Sequence, residues 1–167
     1  EENCLYIAKD GTLLWVSVEN YESGSYSKEE LLDFASEKIK EYNEANGTES
    51  SKEPVTLVSG SLEKGKAVLI TSYDSGESLV DFASEIGDDT MPFTEIKTGT
   101  PEELSEDLKA AGVDYEAALA TGSFAVVLQG EGMVQTEADL LDADGGCDVH
   151  DGHFIKTGSG TSVIVTK

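Results

Sequence analysis

Both histidines of this 167-residue chain fall in one short run, Cys147-Asp148-Val149-His150-Asp151-Gly152-His153. Asp-Gly is turn chemistry, because glycine accepts a positive φ freely and aspartate tolerates one. A two-residue hairpin turn at Asp151-Gly152 makes His150 and His153 a facing pair with side chains on the same side of the ribbon. Their Cβ atoms would lie roughly 5 Å apart, close enough for both imidazoles to reach one ion. Strand alternation adds Asp148 to that face and puts Cys147 on the other. Two histidines and a carboxylate with an open position is a ligand set for zinc or another divalent transition metal. The spacing therefore offers two expectations, a metal-binding protein or metal-dependent enzyme using His150, His153 and Asp148, or a solvated polar hairpin tip.

The neighbouring carboxylates Asp139, Asp142, Asp144, Asp148 and Asp151 raise the question of calcium, which prefers hard oxygen ligands. They do not fit the helix-loop-helix template, because the twelfth position counted from Asp142 is His153 where a bidentate glutamate is required. No serine sits in a Gly-x-Ser-x-Gly elbow, and the glycine-rich stretch 157–161 has no lysine at the phosphate-loop position. Nothing in so acidic a chain picks out two carboxylates for glycoside cleavage. The expectation is a protein with no catalytic residues and no cofactor, with a divalent cation such as zinc or calcium as the alternative.

Aromatic rings with a polar edge suit wet binding faces, and Tyr6, Trp15, Tyr21 and Tyr26 cluster early in the chain. Trp15 alternates with Leu14 and Val16, which fits core packing equally well. Tyr21 and Tyr26 lie in a segment rich in serine and glycine and are the expected ligand-binding pair, with packing against the following helix start as the alternative.

Charge narrows the partners. Asp and Glu number 34 against 11 Lys and Arg, a formal net charge of −23, and all of those 11 are lysine. Arginine's planar fork is the usual two-point grip on phosphate and carboxylate, and it is absent. Nucleic acid and anionic membrane surfaces need basic patches, so neither is an expected partner. A small molecule, a glycan or a protein remains, and strong like charge favours a soluble monomer. Cys4 and Cys147 allow at most one bridge, closing nearly the whole chain, or two reduced and partly buried thiols.

The elements that must position these residues read as an α+β fold. Residues 5–8 and 12–18 are apolar, β-branched and aromatic runs around Lys9-Asp10-Gly11, a hairpin. Ser27-Lys28-Glu29-Glu30 matches a capping box and opens a helix whose stripe is Leu31, Ala35, Ile39 and Tyr42, widened by Leu32 and Phe34 and stopped at Gly47. Residues 55–61 and 66–73 form a second hairpin around Leu62-Glu63-Lys64-Gly65. Leu79, Val80, Phe82, Ala83 and Ile86 predict a short helix ending at Gly87. Thr100-Pro101-Glu102-Glu103 is a second capping box before Leu104, Leu108 and Ala111, with Gly112 as the stop. From residue 123 the period is strand-like, with runs at 123–129, 133–137, near Leu140, 146–150, 153–156 and 162–167 punctuated by glycine. The expectation is an antiparallel β-sheet or meander with two to three amphipathic helices packed on one face. Residues 1–167 form a single domain, with a possible subdivision near 97–100.

The Asp10-Gly11-Thr12 turn, the acidic-aromatic segment 19–26, the helix start at 27–32, the Glu41-Tyr42-Asn43 helix end and the strand 65–73 leading to Ser75 and Phe82 carry a resemblance. Together with the glycine-punctuated closing strands, they resemble an uncharacterised group of cell-surface lipoproteins of Gram-positive, clostridia-like bacteria. The resemblance implies an extracytoplasmic α+β domain tethered to the outer face of the membrane through a lipidated cysteine upstream of Glu1. It carries no catalytic or binding residues with it. No run approaches the roughly 20 apolar residues that span a bilayer, and no basic-then-apolar segment precedes Cys4, so membrane contact is expected only through that anchor. Composition, absent catalytic motifs and resemblance converge on a surface-tethered, non-catalytic binding module of unknown ligand.

Overall fold

The computed structural model describes residues 2–167. In chain order the elements are β1 (Cys4–Ile7), β2 (Leu13–Asn20), α1 (Lys28–Asn46), β3 (Val55–Glu63), β4 (Lys66–Tyr73), α2 (Gly76–Ile86) and β5 (Glu95–Gly99). There follow α3 (Ser105–Ala111), α4 (Tyr115–Thr121), β6 (Phe124–Gln129), β7 (Met133–Thr136), β8 (Leu140–Asp144), β9 (Asp148–His150), β10 (Phe154–Lys156) and β11 (Thr161–Thr166). This is the α+β class that the alternating periods predict.

The strands divide into two sheets, a seven-stranded one ordered β3-β4-β2-β1-β7-β10-β9 and a four-stranded one ordered β5-β6-β11-β8. Neighbours run antiparallel except β1 and β7, which pair in parallel through Leu5–Val134, Tyr6–Gln135 and Ile7–Thr136. That pair joins the N-terminal hairpins to the C-terminal strands. A pairing across so much intervening chain leaves no local turn signal, and for that reason the meander expected from the sequence becomes two sheets.

Burial explains why the sheets differ. In β6 and β11 nine of the twelve residues are buried, in uninterrupted runs. Val126, Leu128 and Ile164 join the main core, whereas Ala125, Val127, Val163 and Val165 join a second cluster with Leu108, Val113 and Ala118. Covered on both faces, these strands read as continuous apolar runs rather than alternating ones. The seven-stranded sheet does alternate. Leu5, Ile7, Leu13, Trp15, Val134 and Ile155 face the main core, which also holds Ile39 and Tyr42 of α1 and Leu79 and Phe82 of α2. Burying each such side chain contributes about 1.5–3 kcal/mol.

The helices start and stop where their caps dictate. Ser27 Oγ accepts from Glu30 N (3.1 Å) while the Glu30 carboxylate accepts from Ser27 N (2.7 Å), the reciprocal capping box of α1. At its other end Asn43 bonds both backbone groups of Val55 (2.8 and 3.0 Å), fixing α1 to the start of β3. The second capping box also forms, since the Glu103 carboxylate accepts from Thr100 N and Oγ1. Yet α3 begins only at Ser105, because Leu104 (φ −102°, ψ 23°) departs from helical geometry and serves as an N-cap without a side-chain bond. A further helix, α4, lies beyond the expected set. Asp114 caps it by accepting from Ala117 N, in a segment whose short apolar stripe resembles a loop.

Gly76 marks the tightest approach of helix to sheet. It is buried in the first turn of α2, where a Cβ would collide with the Ile96 carbonyl of β5. Helix propensity alone predicts that Gly76→Ala stabilises by about 1 kcal/mol. The collision with backbone instead predicts a loss of about 1–3 kcal/mol, measured by urea unfolding. A neutral or stabilised variant contradicts this packing.

Cys4 and Cys147 are both free thiols, so the bridge that sequence allows is not formed. Burial pushes Cys4 up to about 11 and raises Cys147 as well. The thiolate is the reactive form. The native chain is therefore expected to react slowly with a disulfide reagent at pH 8, and the guanidinium-unfolded chain to yield both thiols at once. Absence of titratable thiol in denaturant contradicts the structure.

Candidate functional site

The histidine turn does not assemble as its spacing predicts. The strand register pairs His150 with Phe154, so the loop has three residues and His153 is the last of them. Asp151 (φ 52°) and Gly152 (φ 72°) both adopt the left-handed region, as the turn signal requires. The ladder resumes one residue later than a two-residue turn would allow because His153 is held elsewhere. Its carbonyl accepts from Thr136 N (2.9 Å), and its Nδ1 lies 3.1 Å from the Thr136 carbonyl oxygen. The two imidazoles consequently meet different carboxylates, His150 Nε2 lying 3.2 Å from Asp148 Oδ2 and His153 Nε2 lying 3.9 Å from Asp139 Oδ1. Among the described residues no group of three or more His, Cys, Asp or Glu side chains is arranged to hold a metal ion. The single constellation of His150, His153 and Asp148 is replaced by two exposed pairs.

A different feature gathers chemistry in one place. On the core face of β2 the alternating residues are Leu13, Trp15, Ser17 and Glu19, and they pass from buried through half-buried to exposed along the strand. Their partners on β4 are Tyr73, Thr71, Leu69 and Ala67. The apolar face thus outruns its helical cover, and a groove opens between β2 and β4, the first turns of α1 and the end of α2. Its volume is about 160 Å³, with Trp15, Tyr73 and Phe82 toward the core and Tyr26, Leu31 and Phe34 toward solvent. A trough of about 330 Å³ shares Glu19, Tyr26, Leu31 and Phe34 with it and continues to Glu30.

The floor is fixed by one hydrogen-bonded network. A left-handed Gly87 (φ 67°) ends α2 with Asp88 N donating to Ala83 O (2.8 Å) and Gly87 N to Ser84 O (3.2 Å), a Schellman motif. That turn delivers the Asp88 carboxylate to the indole of Trp15, whose Nε1–H donates to it over 3.1 Å. Asp88 also accepts from Thr90 N (2.9 Å) and from the Thr90 hydroxyl. With its one proton so used, Thr90 Oγ1 receives the proton of Ser17 Oγ, 3.2 Å away. Phe93 meets Trp15 edge-on at 6.5 Å between ring centroids. Thr71 and Tyr73 pair their hydroxyls at 2.8 Å beneath the groove, and burial pushes the Tyr73 phenol far up.

Tyr21 and Tyr26, the expected binding pair, stack on each other at 5.1 Å between centroids, tilted by 52°. Tyr26 enters the groove wall, while Tyr21 does not line it; Tyr21 N donates to Gly65 O (2.9 Å) and ties the segment to the β3–β4 turn. Burial, aided by the Glu19 carboxylate, raises the Tyr26 phenol above its ordinary value. Sequence reasoning assigned Phe34 to the buried stripe of α1, yet it is 54% exposed. Glu19 and Asp88 carried no signal of their own, because their places depend on strand length and on the turn after α2.

A second apolar surface lies on the uncovered face of the seven-stranded sheet. Tyr6, Leu14, Val16, Ile70, Met133 and Phe154 bound a broad depression of about 530 Å³.

The network yields a direct test. Asp88→Ala leaves the Trp15 N–H without its acceptor, predicting a loss of about 1–3 kcal/mol in unfolding free energy and a shift of the emission of Trp15, the chain's one tryptophan. Unchanged stability and emission contradict the network. No family model, no curated protein and no solved structure matches this chain.

Proposed function

We propose that this chain is a non-catalytic binding module, displayed on the outer face of the cell membrane through an anchor outside the present sequence, and that the aromatic groove of β2, β4 and α1 is its ligand site. The carrying observation is that the exposed Phe34 and Tyr26 line one apolar groove whose floor is hydrogen-bonded. Pockets of this composition, apolar with a few fixed polar groups, are the usual form of a ligand site. An exposed phenylalanine on a helix of an otherwise strongly acidic protein gains nothing from solvent, whereas a ligand that covers it adds apolar burial. The strong negative charge and the resemblance to surface lipoproteins support an extracytoplasmic location. The Ser17 hydroxyl in the groove is directed to Thr90, and neither histidine lines it.

Phe34→Ala and Tyr26→Ala each remove a groove wall without touching the buried core. In a screen of peptides and glycans read by Trp15 emission, both variants are expected to weaken genuine ligands about tenfold, as an aromatic contact of about 1.4 kcal/mol requires. Their urea midpoints are expected to stay close to that of the parent chain. Ligands that bind both variants with parental affinity rule out the groove as the site.

A further inference from the structure

Resting on that reading, we infer that the groove receives one basic side chain, a lysine or arginine displayed by an extended segment of a partner protein. Most of the groove's own hydrogen-bond donors are committed, the Tyr26 phenol at the rim being the exception. Trp15 Nε1–H points to Asp88, Ser17 to Thr90, and the buried Thr71 and Tyr73 hydroxyls share one bond beneath the groove. Of the two carboxylates in the lining, Asp88 already accepts from Trp15 and Thr90, and Glu19 is left open. Neither makes an ion pair, and no lysine lines the groove or its trough, among the described residues. Glu30 at the trough's end is already engaged by Ser27 N, so Glu19 is the uncommitted charge at the mouth. A site with aromatic walls and a free carboxylate at its mouth favours a group that carries positive charge on an apolar stem. Cations are attracted to ring faces, and the stem packs where the head group pairs.

Size limits the occupant. A volume of about 160 Å³ is close to the roughly 150 Å³ of an apolar cavity that holds a single benzene-sized molecule. One side chain fits there, whereas a folded element does not. The trough beyond it, along Leu31 and Phe34, leaves room for the backbone that carries that side chain, which distinguishes a displayed residue from a free amine. The chain's charge of −23 supplies the long-range attraction that steers a basic partner and repels a second copy.

The test uses the full chain and tryptophan-free hexapeptide libraries with randomised flanks and a fixed centre of lysine, arginine, norleucine or glutamate, followed by Trp15 emission and calorimetry. Lysine or arginine peptides are expected to bind, norleucine about tenfold more weakly, and glutamate undetectably. Glu19→Gln, an exposed and conservative change, is expected to weaken the basic peptides severalfold and flatten their salt dependence. Norleucine binding as tightly as lysine, in a manner still lost with Phe34→Ala, overturns the cationic inference while leaving the groove as the site. Basic peptides that bind Phe34→Ala and Tyr26→Ala unchanged overturn the groove itself. Lysine amide binding as tightly as the peptides overturns the partner segment in favour of a free amine, and no binding by any basic probe overturns the inference outright.

Discussion

A pleated strand turns every second residue to the same face, and on β2 that face carries Leu13, Trp15, Ser17 and Glu19. The first two need cover and the last two need water, so the boundary of the core runs across the strand between Trp15 and Ser17. Trp15 is the residue at that boundary. It is 2% exposed, too large to be covered by one element, and closed by Asp88 from the turn after α2 and Phe93 from the approach to β5. Because both closing groups lie on the far side of α2, that helix must end at Gly87. The same ending leaves the space above Ser17 and Glu19 to Tyr26 and Phe34, and the groove follows from that geometry.

The two sheets meet their burial requirements differently, and this difference separates candidate surfaces from structural ones. The four-stranded sheet is covered on one face by the main core and on the other by α3 and α4. The seven-stranded sheet has one uncovered face. Its apolar residues there, among them Tyr6, Leu14 and Phe154, form a broad depression on a pleated surface without the aromatic enclosure that marks the groove. Among the described residues, the groove combines aromatic walls, a hydrogen-bonded floor and the unpaired Glu19 carboxylate.

Local chemistry was legible in the sequence, and long-range placement was not. The Ser27–Glu30 capping box and the stops at Gly47 and Gly87 are set by neighbours within a few residues and stand where the spacing puts them. The hairpin turn read at 62–65 is tighter, because β3 runs on through Glu63 and leaves only Lys64-Gly65 to turn. The parallel pairing of β1 with β7 joins segments without a connecting turn, so no periodicity announces it. At the histidine turn the local signal for left-handed residues was sound, but the register was decided by Thr136 on a neighbouring strand. Of the site, Tyr26 was singled out as a binding residue, and Trp15 was weighed as one with core packing as the alternative. Phe34 was visible as an apolar residue beside the stripe of Leu31 and Ala35, and its surplus over the width that a helix buries was the signal available. Asp88 and Glu19 acquire meaning only after the strands are laid side by side.

The proposed site puts recognition over Trp15, between Tyr26 and Phe34, rather than on the open sheet face. NMR of the labelled chain with an unlabelled lysine-centred peptide tests this directly. Ring currents are expected to move the lysine ε-methylene signal upfield, with intermolecular Overhauser contacts to Tyr26 and Phe34 and a shift of the Trp15 indole N–H. Contacts to Tyr6, Leu14 and Phe154 instead, with the Trp15 indole signal unmoved, would contradict it.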